Sequence, residues 1–75
     1  MSDAELLKAV GRRIREARMG LGMSQRTLAV EALTTDAHVS DWEHGRRDPG
    51  VCGLVRVSGA LGVPVRSLLG GDAGP

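Results

Sequence analysis

Apolar residues near the start of the chain recur at helical steps, with Leu6, Val10, Ile14, Ala17 and Leu21 spaced by four, four, three and four positions. That spacing keeps them on one face of a helix. Ser2-Asp3-Ala4-Glu5, just ahead, has the spacing of a capping box, in which a serine and a glutamate three residues on satisfy each other's backbone N–H groups. A first helix is predicted over about 3–19, bracketed at its end by Gly20 and Gly22. Ser24 can cap a second, short helix over about 25–32, carrying Leu28, Ala29 and Ala32 inward. Thr35 is the N-cap expected for a third helix over about 36–44, with Asp36 favourably placed at the positive end of its dipole and Gly45 just beyond its end. Gly45 to Gly50 reads as a loop. Val51, Leu54, Val57, Ser58 and Leu61 then share one face of a fourth helix, which Gly53 and Gly59 weaken and Gly62 stops. Pro64 suits the start of a last short helix with Val65, Leu68 and Leu69. The pattern predicts an all-α, five-helix domain over 3–69, with 70–75 a frayed tail.

Composition narrows what such a domain does. At 75 residues there is room for one small core, and with no Phe or Tyr and a single Trp it must be built from aliphatic side chains, which suits short packed helices. The single cysteine, Cys52, makes neither an internal disulfide nor a zinc pair, so no staple, metal or cofactor is expected. No signal sequence or membrane-length apolar run is present, and a cytoplasmic, soluble chain is expected. A net charge of +1 neither advertises nor excludes a nucleic-acid partner.

The informative region is the third helix. At about 100° per residue, Thr35, Val39 and Trp42 share one face, expected to be core, while Ala37, Ser40, Asp41 and His44 share the other. Two short helices joined by Leu33-Thr34, the second with a small and polar outer face, form the pattern of a helix-turn-helix, whose second helix enters a major groove. Rival chemistries fit poorly. His38 and His44 do not share a helical face, and nothing completes a metal set with Asp41. His38, Ser40 and Asp41 lie within one turn and cannot line up as nucleophile, base and orienter.

The segments G-R-R-I-R-x-A-R (11–18), S-Q-x-x-L-A (24–29), V-S-x-W-E-x-G (39–45), Pro49 and L-G-V-P-V-R-S-L-L (61–69) resemble the Cro/phage-repressor (Xre-like) helix-turn-helix family. The resemblance implies a five-helix domain that binds double-stranded operator DNA, usually as a dimer. It implies that Gln25 contacts the DNA backbone and braces base-reading side chains, that Thr35, Asp36, Ala37, His38, Ser40 and Asp41 touch bases or phosphates, and that His44, Arg46 and Arg47 meet phosphate. Arg12, Arg13 and Arg15 are expected on a solvated face, with one of them able to reach the DNA backbone.

By helical angle Glu43 lies about 40° from Val39, and Arg18 flanks the first helix's apolar stripe in the same way. The resemblance implies that the two form an ion pair inside the domain, which is expected to be partly buried and bidentate. Two positions depart from the family. Leu33 stands where a turn glycine permits positive φ, and Asp36 and Asp41 place carboxylates where neutral or basic side chains are commoner. The expected function is a transcriptional repressor acting by occlusion, with no enzyme activity, as a weak homodimer through Cys52, Val55, Gly59 and Val63. The alternative is a protein-interaction module of antitoxin or anti-regulator type, its acidic third helix binding a protein partner.

Overall fold

Local capping chemistry sets where the first three helices begin in the computed structural model, which describes residues 1–71. Helix α1 (Asp3–Gly20) opens with the full capping box: Glu5 N–H donates to Ser2 Oγ at 3.2 Å, and Ser2 N–H donates to Glu5 Oε1 at 3.1 Å. Hydrogen bonding from the Ser2 backbone N–H, helped by the Ser2 side chain, holds the Glu5 carboxyl below its ordinary pKa of 4.5. Helix α2 (Gln25–Glu31) is capped by Ser24 and α3 (Asp36–Glu43) by Thr35, whose Oγ1 accepts from His38 N–H at 3.1 Å. Asp48 Oδ1 accepts from Gly50 N–H at 2.8 Å at the start of α4 (Gly50–Leu61), and Pro64 precedes α5 (Val65–Leu68).

Helix ends share a second device, a residue of positive φ whose follower donates back five residues. After α3 it is Gly45, at φ 70°, and Arg46 N–H returns to the Asp41 carbonyl at 2.8 Å. After α2 the same position is Leu33, at φ 58°, and Thr34 N–H returns to the Ala29 carbonyl at 2.9 Å. A side chain in the left-handed region costs about 1–2 kcal/mol. Leu33 carries that strain with its side chain in solvent, 80% exposed.

The core gathers Val10 and Ile14 of α1, Leu28 and Ala29 of α2, Val39 and Trp42 of α3, Val57 and Leu61 of α4, and Leu68 of α5. Helices α1 and α3 approach so closely that a Cβ at Gly11 would collide with the carbonyl oxygens of Trp42 and Glu43. Gly53 of α4 likewise leaves room for the Trp42 ring beside Pro49. The Trp42 Nε1–H is buried without a hydrogen-bond partner among the described residues. From the far side, Arg56 Nε donates to the Ala32 carbonyl at 3.0 Å and so satisfies the end of α2.

Several sequence expectations fail at helix ends. Leu21 is the C-cap of α1, not its last stripe residue, and is exposed. Val51 lies in the first turn of α4, where Gly53 and not Val51 faces Trp42, and is 78% exposed. Thr35, expected on the core face, points to solvent because its hydroxyl is engaged as a cap. Arg13, expected to be solvated, is half-buried and donates to the Leu68 carbonyl at 3.3 Å, tying α1 to α5. Gly70 and Gly71 close α5, with Gly71 N–H donating to the Arg66 carbonyl at 2.8 Å; the rest of the expected tail lies outside the described residues.

Candidate nucleic-acid interface

Helix α3 carries charge on two sides, and its inner side is fully paired. The Glu43 carboxylate, 1% exposed, accepts from Arg18 Nε at 2.6 Å through Oε2, and from Arg18 Nη2 at 3.1 Å through Oε1. Arg18 Nη1 donates onward to the Met23 carbonyl at 2.7 Å. The same Oε1 accepts from Gln25 Nε2 at 3.0 Å. Because a carboxylate only accepts, Gln25 must present its amide N–H inward, which fixes which way its other amide atoms face. One buried carboxylate therefore joins α1, the start of α2 and the end of α3.

The outer side is arranged differently. Beyond α3 the left-handed turn at Gly45 folds the chain back, bringing Arg46 over the residue it has just passed. Arg46 Nε lies 3.3 Å from Asp41 Oδ1, and Arg47 Nε lies 3.8 Å from Asp41 Oδ2. At the opposite end of the helix Arg26 Nη1 lies 3.5 Å from Asp36 Oδ2, with both side chains exposed. The outer face is thus charge-paired, not a continuous basic rim. His38 is half-buried, its Nδ1 3.0 Å from Thr34 Oγ1 and its ring roughly parallel to the Trp42 indole, 18° between planes with centroids 6.2 Å apart. His44 Nδ1 lies 2.8 Å from the Ser40 carbonyl, so the proton of a neutral ring sits on Nδ1 and Nε2 faces outward as an acceptor.

A family model described as helix-turn-helix matches residues 14–68, nearly three-quarters of the chain. The chain belongs to the helix-turn-helix family of DNA-binding regulators. Solved structures agree with that placement. The restriction-modification controller protein C.AhdI from Aeromonas hydrophila is 34% identical, over 87% of this chain and 97% of that one, with a TM-score of 0.81. The clp gene regulator ClgR from C. glutamicum is 31% identical, over 85% of this chain and 83% of that one, also at 0.81. The hypothetical transcription factor NHTF from Neisseria is 26% identical, over 92% and 79%, at 0.82. No curated protein sequence matches the chain.

Within this helix-turn-helix protein α2 and α3 are the paired helices, and α3 turns one face outward. Family membership assigns the chain to regulation, not catalysis. Of the residues singled out in the sequence, Asp36 and Ala37 are exposed on α3 and His44 at its C-cap, and Ser40 and Asp41 are half-exposed on the helix. Thr35 is exposed at the N-cap, Arg46 and Arg47 in the following loop. Gln25 is half-buried and His38 turned toward the turn, so these two are braced by the fold instead of standing free. Sequence reading missed Arg26, which meets Asp36 from ten positions away. Its place on the exposed first turn of α2, next to Gln25, was the available signal. Among the described residues no group of three His, Cys, Asp or Glu is placed to hold a metal, and no helix is long and apolar enough to cross a membrane.

Proposed function

We propose that the protein binds double-stranded DNA sequence-specifically, with α3 in the major groove, and represses transcription by occluding the bound site. The supporting observation is the bracing of Gln25 and α3 by one buried carboxylate: Glu43 fixes a polar side chain beside the reading helix in a single orientation, as preorganised contact requires. On this reading Asp36, Ala37, Ser40 and Asp41 face base edges. Gln25, Thr35, His38, His44, Arg46 and Arg47 contact or position the phosphate backbone. Solved relatives that are a restriction-modification controller and a regulator of clp genes support a regulatory role.

One helix of this size reads few base pairs, so useful specificity calls for two chains on half-sites about 34 Å apart. Val51 and Val55, 78% and 54% exposed, stand with Cys52 and Gly59 on the outer face of α4 and supply an apolar surface for that dimer. The charge-paired face of α3 favours one rival, a protein partner bound by the same surface.

Selection of bound sequences from a random duplex pool, followed by titration on the winning duplex, tests the reading. Enrichment of a palindrome with two chains per duplex is expected. Failure to enrich any sequence would pass the surface to the protein-binding alternative.

A further inference from the structure

We propose that Asp41 is an internal phosphate mimic that holds Arg46 and Arg47 until a base edge releases them, so that this one carboxylate couples phosphate contact to base readout. The inference rests on the DNA-binding reading above and deepens it.

Its basis is the geometry of the clasp. Each oxygen of one carboxylate faces a different guanidinium, Oδ1 toward Arg46 at 3.3 Å and Oδ2 toward Arg47 at 3.8 Å. A phosphodiester offers a guanidinium the same kind of anionic oxygens, so the clasp occupies the donors that DNA would use. The arrangement is built by the backbone: Gly45 at φ 70° and the 2.8 Å bond from Arg46 N–H to the Asp41 carbonyl return the loop over the helix. It is also loose. The distances are long and the side chains are 35%, 59% and 55% exposed for Asp41, Arg46 and Arg47, so the pairs exchange readily with competing anions.

Asp41 lies on the face of α3 shared with Ala37 and Ser40, which places its carboxylate toward base edges when the helix is in the groove. If the arginines move to phosphate, that carboxylate is left against the duplex without cations. Among major-groove edges only the amino groups of cytosine and adenine donate to it. On a site that presents such an amino group, Asp41 exchanges two cations for a base contact and both arginines are free for phosphate. On any other site the carboxylate competes with phosphate for its arginines, and the phosphate contacts are weakened. Asp36 and Arg26 make a more exposed single pair at the other end of the helix, 3.5 Å apart, and share the logic more weakly. The apparent handicap of an acidic reading helix thus acts as a filter against random DNA.

The test uses the full chain, a duplex selected from a random pool and a scrambled control. Fluorescence anisotropy titrations compare wild type, Asp41→Asn, the pair Arg46→Ala/Arg47→Ala, and all three changes together. Asp41→Asn should tighten binding to the scrambled duplex by roughly three- to fivefold, the sum of two exposed pairs, and should shrink the selected-to-scrambled ratio. It should also steepen the salt dependence on the scrambled duplex by roughly one to two in log–log slope, as arginines reach phosphates. In the background lacking both arginines the same change should move scrambled binding by less than about twofold.

A gain of equal size with and without the arginines means that Asp41 acts by plain repulsion, which overturns the proposal and leaves DNA binding intact. No gain, or a loss, on the scrambled duplex overturns it likewise. Absence of binding to any duplex by wild type and Asp41→Asn alike sinks the DNA-binding reading itself. Asp41→Ala, repeated through the series, guards against a defect peculiar to asparagine, and thermal melts show that each variant is folded.

Discussion

Glu43 and Asp41 sit two residues apart on α3, and each faces arginine, yet the two constellations are built for opposite purposes. Inside, the Glu43 carboxylate takes two donors from Arg18 and one from Gln25, and the remaining Arg18 nitrogen finds the Met23 carbonyl. Outside, Asp41 meets two arginines at 3.3 and 3.8 Å in water. Removing one partner of a buried pair strands a desolvated charge, whereas an exposed partner is replaced by solvent. The same chemical pair is therefore architecture on one side of the helix and an exchangeable contact on the other.

The sharpest way to break this contrast is from the inside. Glu43→Leu should cost about 3 kcal/mol and lower the melting temperature by roughly 12–24 °C, because Arg18 is left buried without its carboxylate. Arg18→Met combined with Glu43→Leu should recover much of that loss in thermal unfolding. Simple addition of the two single losses would mean that the network is not a unit.

Gln25 probes the edge of the inner network. Gln25→Ala should cost about 1–1.5 kcal/mol of stability by removing one charge-assisted donor, and should also weaken binding to the selected duplex. Stability lost with affinity unchanged would confine Gln25 to the inside. Arg47→Ala should do the reverse, weakening the selected duplex by roughly five- to tenfold and flattening its salt slope by about one, with stability changed by less than about 0.5 kcal/mol. The smallest effect is expected for the outer pair as a structural element. A double-mutant cycle of Asp41→Asn and Arg46→Ala, read by denaturant unfolding without DNA, should show a coupling below about 0.5 kcal/mol. A coupling near that of Arg18 and Glu43 would erase the distinction.

Helix number and helix starts were legible in the sequence because they are local. Ser2, Ser24 and Thr35 announce their caps to residues three positions away, and the apolar steps give the inner faces. What failed depends on neighbours that periodicity does not name. Val51 steps in register with Leu54 and Ser58 yet stays 78% exposed, because Gly53 is the residue of that turn that meets Trp42. Arg13 has the angle of a solvated residue, and only the packing of a segment 55 positions away gives it the Leu68 carbonyl.

The same limit applies at the candidate site. Helical angle says that Glu43 flanks Val39; that it collects three donors from two other helices is a property of packing. Asp41 and Arg46, five apart, are not helical neighbours. They meet because the helix has ended and Gly45 reverses the chain. Leu33 was legible as a conflict, and the turn resolves it by accepting the strained φ.

Gly11 touches nothing that α3 presents outward, but it decides where α3 sits. At that point the two helices meet main chain to main chain, with no side chain between them to change rotamer and absorb a displacement. Interdigitated cores yield by small readjustments of their side chains, whereas this contact is a hard stop. The height of the outer face of α3 above the body of the protein is therefore referenced to a residue on the opposite side of the helix. A map of contacts at the interface would leave out the position that sets its datum.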